Sequence, residues 1–206
     1  MQGFVSRALR VYLLDDHDLV RRGLVDLLSS KRDIKVVGDS ASAVAAVKSI
    51  IELQPDVMVL DVRLQDGSGI EVSRKVRAVE PRIRALMLTA SDDDDALVAA
   101  LLAGAAGYLT KLSASLDVLD TLRAVGAGRS LISPDERNRI GEEFLTGLDN
   151  ASRQSGRVAD ELDRLVLRHL IDGRTDSEIA ELADLSEPNV VARVRWLLQL
   201  LAANLV

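Results

Sequence analysis

Five positions in this chain carry groups that could act together: Asp15, Asp16, Asp61, Thr89 and Lys111. Three carboxylates gathered in a partly dry crevice repel one another, and a divalent cation relieves that repulsion. Oxygen-only ligands favour magnesium or manganese. Magnesium polarises a phosphoryl group so that a carboxylate can attack it, and Asp61, set between the other acids, is the natural nucleophile. The chain has no cysteine and only two histidines, which excludes disulfides, thiolate nucleophiles and histidine-rich metal sites. His17 adjoins the acidic pair and reads as a surface residue at the start of a helix. His169 sits inside a helical pattern without metal-ligand spacing. The run Asp92–Asp95 reads as negative charge at the positive end of the following helix, with no metal role.

These groups converge only if strands carry them. "VYLLD" at 11–15, "IKVVGD" at 34–39, "DVMVLD" at 56–61, "RALMLTA" at 84–90 and "GYLTK" at 107–111 are short, continuous and β-rich, as expected of strands buried on both faces. Helical patterns lie between and after them, at about 18–30, 41–53, 69–79, 93–103 and 114–125. Five such repeats predict an α/β, doubly wound, five-stranded parallel sheet, and ligands of such a sheet gather beyond the carboxyl ends of its strands. Asp15, Asp16, Asp61, Thr89 and Lys111 all fall there.

In that context "LLDDHDLVRRGL", "PDVMVLDVRLQDGSGIE", "LMLTA" and "AGAAGYLTK" resemble the flavodoxin-like receiver domain of two-component response regulators, of the NarL/FixJ class that adds a LuxR-type helix-turn-helix. The resemblance implies phosphorylation of Asp61 by a sensor histidine kinase. It implies Mg2+ held by Asp16, Asp61 and the backbone carbonyl of Arg63, with Asp15 assisting through water. Lys111 would contact the phosphoryl group, and Thr89 with Tyr108 would form the switch that senses it. Gln65 stands where a proline is common in the family, with little consequence expected. A phosphatase built on an aspartate nucleophile usually has a second acid two residues later; Arg63 occupies that position, so the chain reads as a regulator and not an enzyme.

A receiver is expected over residues 7–126. Residues 127–156 lose strand signals and read as a linker whose stretch 135–148 forms a helix. Residues 157–206 read as a small all-α domain of the LuxR type, with Thr175 and Glu178 forming a capping box and Pro188 in a first helical turn. In "LSEPNVVARVRWLLQLL" the stripe Val190, Val194, Leu197, Leu198 and Leu201 is the expected core. Asn189, Arg193, Arg195 and Gln199 are the DNA-contact candidates, because amides can read adenine and arginine can read guanine or phosphate.

Charge opposes an easy DNA reading. The chain of 206 residues has a net charge of −6, and residues 157–206 hold six arginines against nine acids. An acidic module binds phosphates weakly unless its cations share one face. The family's usual threonine-valine-lysine at the start of the recognition helix is Asn189-Val190-Val191 here. The sequence reaches Val206 almost without room for the fourth helix that the family normally adds. Trp196 is therefore either packed within the domain or left for a partner to cover. The leading expectation is transcriptional control through DNA by a homodimer; the alternative is an output domain acting by protein contact or self-association. No apolar run is long enough to span a membrane or to serve as a signal peptide, so a cytoplasmic protein is expected.

Overall fold

The computed structural model describes residues 7–90, 94–111, 114–154 and 156–204. Its first half alternates strand and helix: β1 (Leu9–Leu14), α1 (Asp18–Ser29), β2 (Ile34–Ser40), α2 (Ala43–Leu53), β3 (Val57–Asp61), α3 (Gly69–Val79), β6 (Arg84–Thr89), α4 (Asp94–Leu102), β7 (Gly107–Thr110) and α5 (Ala114–Gly126). Two short strands between β3 and α3, β4 (Arg63–Leu64) and β5 (Gly67–Ser68), pair as an antiparallel hairpin that the sequence pattern did not reveal. Asp92 and Asp93, and the side chains of Asp94 and Asp95, lie outside the described residues.

The five main strands form one parallel sheet in the order β2-β1-β3-β6-β7. The chain direction across the sheet reverses between β1 and β3, the switch point at which such folds bind ligands. Side chains alternate along each strand, so the sheet feeds two cores. Tyr12, Leu14, Met58, Leu60, Ala85 and Met87 face one side, toward α2, α3 and α4. Val11, Leu13, Val57, Val59, Leu86, Leu88 and Leu109 face the other, with Leu24, Leu28, Leu122 and Val125 from α1 and α5. Register fixes the shared edge: Leu14 pairs with Leu60, Asp61 with Leu88, and Thr89 with Thr110.

The second half is helical. α6 (Pro134–Gln154) runs six residues past the expected end at 148, and α7 (Glu161–Ile171), α8 (Asp176–Ala183) and α9 (Glu187–Asn204) follow. Among the described residues, no helix follows α9. Asp160 begins α7 with a capping box to Asp163, and Thr175 with Glu178 forms the expected box at α8. Along α9 Val190, Val194, Leu197 and Leu200 are buried and Leu198 is half-buried, while the side chain of Leu201 lies outside the described residues.

The two halves share a core. α4 is buried at every position from Leu97 to Leu102, and one contiguous apolar cluster joins it to Ile140, Leu148, Val166, Leu170, Ile179 and Val194. Polar contacts at this junction follow a rule: arginines meet the carbonyls that helix ends leave without partners. Arg74 on α3 donates to Leu102 O at the end of α4 (3.1 Å), and Arg77 donates to Gly173 O beyond α7 (3.1 Å). Arg137 on α6 donates to Ile171 O. Gly104 has φ +62°, a backbone conformation that favours glycine, and a Cβ there would lie 1.7 Å from an Arg77 guanidinium nitrogen, so a larger residue would also displace that guanidinium. Arg74 also forms an ion pair with Asp176 on α8; both side chains are largely buried.

Removing one partner of a buried pair leaves the other charge uncompensated, at a cost of about 3–5 kcal/mol. Asp176→Ala is expected to lower stability by the lower end of that range, because Arg74 keeps its bond to Leu102 O. Arg74→Met combined with Asp176→Leu is expected to recover most of the loss. Urea titration of the three proteins measures both effects, and an unchanged midpoint for Asp176→Ala would remove the pair from the account of the junction.

Candidate functional site

Asp61 is the last residue of β3, and Asp15 and Asp16 follow the end of β1, so neighbouring parallel strands deliver the three carboxylates to one edge. Lys111 follows β7, and its backbone N–H is fixed to Thr89 O at 2.7 Å. Its ammonium reaches across to Asp61 Oδ2 at 2.7 Å and Asp15 Oδ2 at 2.9 Å. The carboxylates of Asp15 and Asp61 are only 2% and 5% exposed, which makes this lysine their main source of positive charge.

The electrostatics follow from that geometry. Burial pushes the Asp61 carboxyl above its usual range; the hydrogen bond and charge of Lys111 oppose the rise, and Asp15 adds to it. For Lys111, burial pulls downward, but the hydrogen bonds to Asp61 and Asp15 outweigh it and hold the ammonium above its ordinary value. Asp61 Oδ2 is thus occupied by Lys111, whereas Oδ1 accepts a long bond of 3.4 Å from the Arg63 N–H. The less engaged oxygen is the better placed nucleophile.

A cation fits the remaining valence. Asp15, Asp16, His17 and Asp61 each offer a ligand atom, all within 4.8 Å of one another. Asp15 Oδ2 and Asp16 Oδ1 are buried without a well-directed hydrogen bond, although Lys111 Nζ and His17 Nδ1 lie close. Carboxylate oxygens in such a position suit a hard divalent ion.

Four neighbours that the sequence reading undervalued shape this pocket. His17 is exposed, but its ring turns inward: Nδ1 lies 2.8 Å from Asp16 Oδ1 and 3.2 Å from Asp15 Oδ1. The Gln65 N–H, which a proline would lack, donates to Asp16 Oδ2 at 3.0 Å, so the position is not without consequence. Asp66 accepts from Ser42 Oγ (2.6 Å) and the Ala43 N–H (2.9 Å), tying the β4–β5 hairpin to the start of α2. A Cβ on Gly69 would lie 2.2 Å from the Asp61 carbonyl oxygen, so α3 can begin against the strand end only with glycine there. The "QDGSG" turn residues were the available signal for the last two; nothing local signals the first two.

The expected switch pair occupies adjacent strands. Thr89 is buried at the end of β6, and Tyr108, half-buried on β7, is paired in register with Met87. Arg63 lies in β4 opposite Ser68, two residues beyond Asp61.

At the other end of the molecule, the DNA-contact candidates divide. Asn189, Arg195 and Gln199 are exposed on α9, together with Pro188 and Ala192. Arg193 is turned inward: its Nη1 contacts Asp160 (2.7 Å) and Asp163 (2.6 Å), and Asp163 is fully buried. Arg157 also pairs with Asp163 at 2.8 Å and lays its guanidinium over Trp196, 3.9 Å from the ring centroid. That cation–π contact and half-burial settle Trp196 within this helical unit. Among the described residues, no helix is long and apolar enough to cross a membrane.

Residues 11–123 match the family described as the response regulator receiver domain. The chain is 38% identical over 191 residues to the DNA-binding transcriptional activator DevR/DosR of Mycobacterium tuberculosis, covering 90% of this chain and 86% of that protein. It is 31% identical over 175 residues to the transcriptional regulatory protein LiaR of Bacillus subtilis, covering 84% and 81%. A crystal structure of a LuxR-family two-component response regulator from Aurantimonas sp. aligns with TM-score 0.58 at 35% identity, covering 68% of this chain and all but 1% of the other. The RcsB response regulator of Salmonella typhimurium, at 21% identity, shares the fold over 96% of this chain with TM-score 0.56. With the acid-lined strand edge, the flavodoxin-like sheet and these relatives in agreement, the chain belongs to the response regulators of two-component systems, in the LuxR-type class that joins a receiver domain to a helical output region.

Proposed function

We propose that this protein is phosphorylated on Asp61 by a sensor histidine kinase and controls transcription by binding DNA. The observation that carries the reading is the bond of Lys111 to one Asp61 oxygen, 2.7 Å away, beside two further carboxylates. The less engaged Asp61 oxygen attacks the phosphorus of a phosphohistidine. The new O–P bond forms as the P–N bond breaks, and the electron pair returns to the kinase imidazole. Lys111 then pairs its ammonium with the phosphoryl oxygens. Mg2+ would be held by Asp16, Asp61 and the backbone carbonyl of Arg63, with Asp15 assisting through water; bound there it neutralises phosphoryl charge. Thr89 senses the phosphoryl group from the end of β6, and Tyr108 on the adjacent strand follows it. The protein acts as a regulator in the cytoplasm and not as an enzyme. A receiver over 7–126, a linker over 127–156 and an output unit over 157–206 divide the labour.

For the output, the name of the DevR/DosR relative describes a DNA-binding transcriptional activator, which favours DNA over action by protein contact alone. Asn189, Arg195 and Gln199 form the reading face of α9. Arg193 instead positions the helix against α7 by neutralising Asp163. With so few cations on one helix, a homodimer engaging two half-sites supplies the affinity that one copy lacks.

Incubation with a small acyl-phosphate donor and Mg2+ should give one phosphoryl group per chain, and Asp61→Asn should abolish it; full labelling of that variant would sink the assignment. Arg195→Ala should weaken binding to duplex DNA and reduce the salt slope by about one unit. Arg193→Ala should instead lower the stability of the helical region by about 2 kcal/mol, the scale of a hydrogen bond to a charged group. Fluorescence anisotropy across a salt series and thermal melts separate the two, and equal salt slopes for Arg195→Ala and wild type would remove Arg195 from the reading face.

A further inference from the structure

We propose that His17 is a direct ligand of the pocket's cation through Nδ1, and that the site is therefore tuned toward a first-row transition ion such as Mn2+ in preference to Mg2+. The inference rests on the metal reading above and adds a nitrogen donor to it. His17 stands at the N-cap of α1 with extended backbone (φ −84°, ψ 99°), a position at which Ser, Thr, Asp or Asn usually bonds the first turn. Its side chain makes no capping bond. The ring turns back over the pocket, where Nδ1 lies 2.8 Å from Asp16 Oδ1, 3.2 Å from Asp15 Oδ1, 3.7 Å from Asp61 Oδ2 and 3.3 Å from Lys111 Nζ, the ammonium that a bound cation would have to share the cluster with. The backbone helps hold that turn, because the His17 N–H donates to Asp15 Oδ1 at 2.7 Å.

One imidazole nitrogen thus shares a 4.8 Å cluster with carboxylates from three aspartates. Two of those oxygens, Asp15 Oδ2 and Asp16 Oδ1, are buried without a well-directed hydrogen bond. The ring itself is two-thirds exposed, at 66%, so packing does not lock it. Donor chemistry then decides between ions. Mg2+ demands oxygen ligands in near-ideal octahedral geometry and keeps several waters, so an imidazole adds little to its binding. First-row transition ions take an imidazole nitrogen better than Mg2+ does; Mn2+ gains least among them, and the gain rises toward the later ions. A mixed set of carboxylates and one imidazole raises affinity for Mn2+ selectively.

The full-length protein can be titrated with Mn2+ and with Mg2+ by calorimetry, and the Mn2+ complex examined by pulsed electron paramagnetic resonance for coupling to a nitrogen nucleus. The wild type should show nitrogen coupling and prefer Mn2+. His17→Ala should lose the coupling, and its Mn2+ affinity should fall about tenfold further than its Mg2+ affinity. His17→Ala also removes the ring's contacts with Asp15 and Asp16, so a thermal melt is run beside the titrations and the ratio of the two affinities, not either one alone, carries the test. Mn2+ binding without nitrogen coupling, or an unchanged ratio of the two affinities in His17→Ala, would overturn the His17 ligand and leave the oxygen site standing. Failure of either ion to bind would overturn both, and coupling that persists in His17→Ala would assign the nitrogen to another residue and refute the proposal.

Discussion

Burying carboxylates beside one another is costly, because burial and like charge both disfavour the ionised form. Asp15 and Asp61 nevertheless lie almost wholly out of solvent, and Lys111 answers them both from a third strand. That ion pair depends on an unbroken chain of constraints. β1 and β3 must be neighbours in parallel register, β6 must lie beside β3, and the Lys111 N–H must dock on Thr89 O so that the lysine starts from the correct height. A slip of one residue in any strand would turn its side chains to the opposite face and disperse the cluster. The sheet order and the two apolar cores on its faces are, in this sense, the means by which one ammonium is brought to two carboxylates.

The strands and the acids at their ends were legible in the sequence because both signals are local. A short β-rich run ending in Asp or Thr states its own place in a parallel sheet, and Asp15, Asp16, Asp61, Thr89 and Lys111 all arrive at the predicted edge. What was illegible arises between elements. The bond from Gln65 to Asp16 joins residues forty-nine apart, and it depends on the hairpin of β4 and β5 folding over the end of β1. His17 looked like a surface residue and is exposed, yet no periodicity tells which way an exposed ring turns. Gly69 has a role only because the Asp61 carbonyl lies where its side chain would be.

The recognition helix makes the same point with charge. By periodicity alone Arg193 flanks the outer face of α9, and it belongs with Arg195 as a DNA contact. The structure separates them, because Asp163 at the start of α7 is buried and Arg157 alone does not exhaust its oxygens. Arg157 has a second task over Trp196, and its body covers an aromatic ring that would otherwise face water. The acidic balance of this region is thus partly internal: two of its six arginines are committed to holding Asp160, Asp163 and Trp196 in place. The inward facing stripe also shifts, with Leu200 buried and Leu198 only partly so, as the helix settles against α7 and α8.

The junction between the halves determines how a change at Asp61 can be felt at α9. α4 follows β6, the strand that ends in Thr89, and from Leu97 to Leu102 every residue is buried, some against the sheet and some against α6 and α7. A close-packed helix cannot shift without moving what touches it. Arg74 and Arg77 reinforce the connection, since they stand on α3 beside the sheet and bind the ends of both α4 and the α7–α8 turn. Yet Asn189, Arg195 and Gln199 remain exposed while these contacts are made. Occlusion of the proposed reading face is therefore not what this arrangement accomplishes. The contacts fix the orientation of α7 and α8, and through them the direction in which α9 points. In the homodimer proposed above, two copies would present that helix at matched spacing to two half-sites, so a junction that sets orientation would control DNA binding while the helix stays open to solvent.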